Sequence, residues 1–107
     1  MITFVCYPKC STCQKAQKWL EEHQIPYQLR DIKTNNPSYE ELSNWYQNSG
    51  LPLKKFFNTS GLLYRSMELK EKLPGMTEEE MLRLLSADGM LVKRPLVIAD
   101  GFVLTGF

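Results

Sequence analysis

"YPKCSTCQKAQKWLEEH", residues 7–23, sets two cysteines three positions apart at the head of a helical pattern. Before it, ITFVC at 2–6 is a short apolar run with β-branched and aromatic members, the mark of a buried strand. Pro8 breaks that run. Ser11 or Cys10 can cap a helix to about His23, with Cys13, Ala16, Trp19 and Leu20 on one face. Ile25-Pro26 ends the helix, and YQLRDI at 27–32 reads as a second strand. Strand, helix and strand within about 30 residues make a βαβ unit, which implies parallel strands joined by a right-handed crossover.

Beyond this unit the pattern turns helical. Ser38 and Glu41 form a capping box ahead of Leu42, Trp45 and Tyr46; Thr77 and Glu80 form a second ahead of Met81, Leu82, Leu84 and Leu85. Between them, 52–57 is a short helix entered at Pro52, NTSG at 58–61 is loop chemistry, and Arg65 to Lys72 predicts another short helix. Asp88-Gly89 stops the second capped helix. The closing RPLVIADGFVLTG has two β-rich runs flanking Asp100-Gly101, a type I′ hairpin signal. The expected fold is α/β: one mixed sheet of about four strands in a single domain over 1–107, with a helical insertion at about 38–90 between the βαβ unit and the C-terminal hairpin. No repeat, low-complexity segment or linker interrupts the chain.

Composition narrows the function. With 107 residues the chain holds one modest core. A net charge of +1 argues against direct nucleic-acid binding. No apolar run approaches the roughly 20 residues of a membrane span, and MITFVCYPKC lacks the layout of a secretory signal. Three cysteines are too few for a disulfide-stapled scaffold. A reducing, cytoplasmic setting is expected.

The C-x-x-C pair admits three readings. Zinc needs about four ligands, yet the chain offers Cys6, Cys10, Cys13 and His23, with His23 over two helical turns beyond Cys13 and no second C-x-x-C. A structural disulfide closing so small a loop adds little stability. A redox pair fits the context of a strand followed by a helix. A thiol at a helix N-terminus faces unpaired N–H groups and the positive end of the dipole, which favour thiolate. Lys9 and Lys15 add positive charge, and Cys13, one turn later, lies within disulfide reach. Cys10 is thus the expected attacking thiolate and Cys13 the more buried resolving thiol. Cys6, inside a strand, reads as a small buried hydrophobe, and His23 as a surface or capping residue. No arginine closes a Cys-x5-Arg loop after any cysteine, which excludes a low-molecular-weight phosphatase cradle.

Arg94-Pro95 opens the third strand. It reads either as a plain strand start or as a cis-proline loop apposed to the cysteines, with Arg94 an anion-binding fork. Lys54, Lys55, Arg65, Lys70 and Lys72 are dispersed among acids as solvated faces.

Together YPKCSTCQKA…WL, PYQLRDI, the helical insert and KRPLVIADG…LTGF resemble the arsenate reductase (ArsC)/Spx family of the thioredoxin superfamily, along essentially the whole chain. The resemblance implies a thioredoxin-like, glutaredoxin-type core with a helical insertion, a redox cysteine at Cys10 and a cis-proline at Pro95. It also implies a final helix, whereas this sequence stops at Phe107 after a strand; either the sequence is truncated or something else covers that sheet face. Arsenate-reducing members carry a single cysteine at the Cys10 position, a histidine four residues earlier and three arginines on the oxyanion. Here those other positions read Cys6, Asn58, Arg94 and the TGF segment, with Lys9 or Arg65 left as partial substitutes.

The expected activity is therefore thiol–disulfide oxidoreduction by Cys10 and Cys13 rather than arsenate reduction. Arg94, Pro95 and Lys9 form the anion or substrate site, no cofactor or metal is bound, and glutathione, thioredoxin or glutaredoxin is the thiol donor. The alternative, implied by the Spx-like branch, is a redox-sensing transcription regulator that binds the RNA polymerase α subunit.

Overall fold

In the computed structural model, which describes residues 2–107, the βαβ unit forms as its pattern requires. Strand β1 (Ile2–Cys6) leads through helix α1 (Ser11–Glu22) to β2 (Tyr27–Asp31), and β1 and β2 pair in parallel with Cys6 opposite Asp31. The late β3 (Leu96–Ala99) and β4 (Phe102–Thr105) complete a mixed sheet in the order β2-β1-β3-β4, both pairings of β3 being antiparallel. The β3–β4 connection has two residues, as predicted, but its turn is not type I′: Gly101 stands at φ 90 and Asp100 is not at positive φ. A positive φ at the second position alone is the type II pattern.

The strand alternation divides the core in two. Val5 of β1, Leu96 of β3 and Val103 of β4 join the larger core under the helical insert, with Phe56, Phe57 and Leu85. Phe4 and Cys6 face the other way and pack with Cys13, Ala16 and Leu20 of α1. Trp19, expected on the same stripe, is 43% exposed. Lying one residue before Leu20, it is rotated about 100° from that position, and its ring stacks on His23, the C-cap of α1, at 4.0 Å. Helix α1 leaves part of its sheet face open. Trp19, Phe102, Leu104 and Phe107 border an apolar groove of about 320 Å³ there.

The insert opens with α2 (Tyr39–Ser49) and closes with α5 (Glu78–Ala87), and both predicted capping boxes are present. A 3-10 turn at Leu53–Phe56 follows Pro52. The helix predicted from Arg65 to Lys72 is instead two pieces, α3 (Leu62–Ser66) and α4 (Leu69–Lys72). Glu68 breaks them at φ 55, while Tyr64 and Leu69 anchor the pieces in the core. Among the described residues no helix is long and apolar enough to cross a membrane.

Arg30 on β2 ties the βαβ unit to the insert. Its guanidinium donates to both Glu41 carboxylate oxygens, at 2.5 and 2.9 Å, and lies over the Trp45 ring. Those bonds hold the Glu41 carboxyl down to about 2, against burial that pushes it up and with help from the Ser38 N–H. Because the folded value lies below the ordinary 4.5, the stability from this pair is present above 4.5 and is lost as pH falls through 2. Glu41→Gln should therefore lower the urea midpoint at pH 6, with the gap to wild type closing by pH 2. A constant gap across that range would refute the assignment.

Candidate redox site

The chain turns at Tyr7–Cys10, where the Cys10 N–H donates to the Tyr7 carbonyl at 2.9 Å, and Gln14 braces the turn by donating to the Pro8 carbonyl at 2.8 Å. Cys10 is then the N-cap of α1. Its carbonyl accepts the first helical bond from Gln14, and its side chain makes no capping bond. Half-burial alone would push the Cys10 thiol up. The Cys13 N–H, the Cys13 thiol, the Thr12 N–H and the Arg94 guanidinium outweigh it, so the thiol sits below its ordinary value. Two of these, the Thr12 and Cys13 N–H groups, are unpaired donors of the helix N-terminus that face the sulfur without closing a capping bond.

Cys13 is its opposite. At 1% exposure it is pushed up to about 12, by burial first and then by the neighbouring Cys10 charge, although the Tyr7 N–H donates to its sulfur at 3.3 Å. Cys6, at 2% exposure, is also raised, by burial and then by the Asp31 charge, with a thiol hydrogen bond to Cys13 pulling the other way. All three cysteines are free thiols.

Cys10 opens on a cleft of about 660 Å³ whose wall includes Thr12, Asn58, Lys93 and Arg94. Arg94 is held over the Tyr7 ring at 5.4 Å and donates to the Met90 carbonyl at 3.2 Å. Asn58 and Lys93 reach the cleft through a β-bridge between Phe57 and Val92, flanked by Asn58 N–H to Leu91 and Lys93 N–H to Phe56 bonds of 2.8 and 2.7 Å. Of the sequence-predicted residues, the fold thus brings together Cys10, Cys13 and Arg94. Pro95 is buried after a cis peptide bond and lines the apolar groove beside Ala16 and Trp19 rather than the cleft. Lys9 and Arg65 are exposed and do not line the cleft. Lys93 was the residue missed; its only sequence signal is adjacency to Arg94. Among the described residues no group of His, Cys, Asp and Glu is placed to hold a metal ion.

The model of the ArsC family matches residues 6–107. The chain belongs to the ArsC family. It is 56% identical over 106 residues to the uncharacterized protein YusI of Bacillus subtilis (strain 168), covering 99% of this chain and 90% of that one. A solved structure of a possible arsenate reductase from Streptococcus mutans UA159 superposes with a TM-score of 0.93 at 48% identity, over 100% of this chain and 91% of that one. The global transcriptional regulator Spx of Bacillus subtilis (strain 168) is 25% identical over 107 residues, all of this chain and 80% of the regulator. The thioredoxin-like sheet with its helical insertion is thus the fold of ArsC-family relatives, and enzyme-named and regulator-named proteins both lie among them.

Proposed function

We propose that this ArsC-family chain is a thiol–disulfide oxidoreductase. The carrying observation is the asymmetry of the C-x-x-C pair: an accessible Cys10 favoured as thiolate stands against a buried Cys13 favoured as thiol. Cys10 thiolate attacks a substrate disulfide and expels one half as a thiolate, which takes a proton from water. Cys13 then gives its proton to water and attacks the Cys10 sulfur, displacing the bound half as a thiolate and leaving a Cys10–Cys13 disulfide. Arg94, with Lys93, orients an anionic group such as a glutathione carboxylate in the cleft. An external thiol, glutathione or a thioredoxin-type protein, reduces the pair again. An amide at Asn58 in the cleft supports disulfide chemistry over the binding of a doubly charged oxyanion.

The test is turnover of hydroxyethyl disulfide with glutathione, followed by mass spectrometry of the protein after mild oxidation. Turnover above the protein-free rate, with an intramolecular disulfide that includes Cys13, is expected. No turnover and no disulfide at Cys13 would sink the reading.

The likeness to Spx supports a second reading, a regulator whose redox pair changes a protein-binding surface. Redox-dependent capture of the RNA polymerase α subunit, with no disulfide turnover, would favour it over the enzyme.

A further inference from the structure

The oxidoreductase reading uses two of three thiols, and the third is not isolated from them. Strand alternation turns Cys6 toward α1, into the small core that also holds Cys13. The Tyr7 N–H, one peptide unit beyond Cys6, donates to the Cys13 sulfur at 3.3 Å. Cys6 and Cys13 are both fully inside this core, and Cys10 packs against it from the partly exposed side. The three thiols thus share one cluster, and among the described residues they are not placed to hold a metal ion.

We propose that Cys6 is a third redox thiol, which takes Cys13 over from the Cys10–Cys13 disulfide and leaves Cys10 free while the protein stays oxidised. This rests on the redox-pair reading above. In the step, Cys6 loses its proton to water and its sulfur attacks Cys13 Sγ. The Cys13–Cys10 bond breaks, a Cys13–Cys6 bond forms, and Cys10 leaves as thiolate. One disulfide is exchanged for another, so no outside oxidant or reductant is consumed.

The chemistry favours this direction. In thiol–disulfide exchange the lower-pKa sulfur is the better leaving group, and here that sulfur is Cys10. The product keeps the helix-stabilised thiolate and joins the two sulfurs whose ionised forms are disfavoured by burial. Exchange therefore returns the protein to a state able to attack a second disulfide before any donor arrives.

The test is disulfide mapping of the whole protein, oxidised under native conditions with diamide and quenched with iodoacetamide. Trypsin cuts after Lys9 and Lys15, so Cys6 lies on one peptide and Cys10 and Cys13 share the next. A Cys6–Cys13 bond links the two peptides, whereas a Cys10–Cys13 bond stays within one. In oxidised wild type the linked pair, alkylated at Cys10, should exceed the internal disulfide by tenfold or more. Cys10→Ser should give the same Cys6–Cys13 link without the alkyl group at position 10, and Cys6→Ala only the Cys10–Cys13 loop. Oxidised wild type carrying only Cys10–Cys13 would overturn the Cys6 role and leave the oxidoreductase reading standing. Absence of the Cys10–Cys13 disulfide even from Cys6→Ala would overturn the redox pair itself, and the exchange with it. The wild-type measurement needs no variant to fold.

Discussion

Cys10→Ser should reduce disulfide turnover by on the order of 10³-fold or more, the scale expected on losing the attacking nucleophile, while the fold survives. The thiolate, not the thiol, reacts, and no hydroxyl in this setting ionises near neutral pH. The side chain at position 10 is half-buried at the N-cap of α1, a place where serine is itself a preferred residue, so the oxygen can face the same donors as the sulfur. Unchanged urea midpoints beside lost turnover would separate chemistry from stability. Cys13→Ser should behave differently, because attack by Cys10 still occurs but the adduct cannot be displaced from within. A mixed disulfide at Cys10 should accumulate in near-stoichiometric amount and be visible by intact mass. Turnover retained by Cys10→Ser would remove Cys10 from the mechanism.

The second large effect is structural. Gly89→Ala should cost about 3 kcal/mol or more, since a core overpacked against backbone cannot relax as a side chain would. A Cβ at Gly89 would stand 1.9 Å from the Ile32 carbonyl oxygen and 2.9 Å from its carbon. Neither backbone is free to retreat. The Ile32 N–H donates to the Cys6 carbonyl at 2.8 Å, and the Gly89 carbonyl accepts from Val92 at 3.1 Å. Ile32 itself is fully buried. The melting temperature should fall by on the order of 15 °C for a chain of this size. Thermal unfolding followed by circular dichroism reads this directly, and a loss below a few degrees would show that the contact yields.

Gly89 also shows where sequence reading stops. Asp88-Gly89 was legible as a helix stop, and α5 does end there, with the Asp88 carboxylate accepting the Met90 N–H at 2.9 Å. That the glycine is needed for a close approach to Ile32, 57 positions earlier, was not legible, because no local pattern encodes a distant backbone neighbour. The broken helix at Glu68 is a similar case. Nothing in RSMELKEK marks a left-handed residue, and the break follows from Tyr64 and Leu69 being buried on separate short segments.

The site divides along the same line. Local sequence determined that Cys10 caps a helix and that Cys13 lies a turn inside it, because strand period, proline breaks and capping chemistry act over a few residues. It also carried the order of elements and both capping boxes. Only the tertiary structure decided what surrounds the pair. The Phe57–Val92 bridge brings Asn58 and Lys93 to the cleft, and the Tyr7 ring and Met90 carbonyl aim Arg94 at the Cys10 sulfur. Pro95, joined to Arg94 by the expected cis peptide bond, lines the groove beside α1. Cys6 was placed against Cys13 by the pairing of a strand face with a helix face, a long-range packing event. The physical reason is range: hydrogen-bond periodicity and dihedral preference are local, whereas the burial that selects a thiol's neighbours, and with them its charge state, is set by the whole fold.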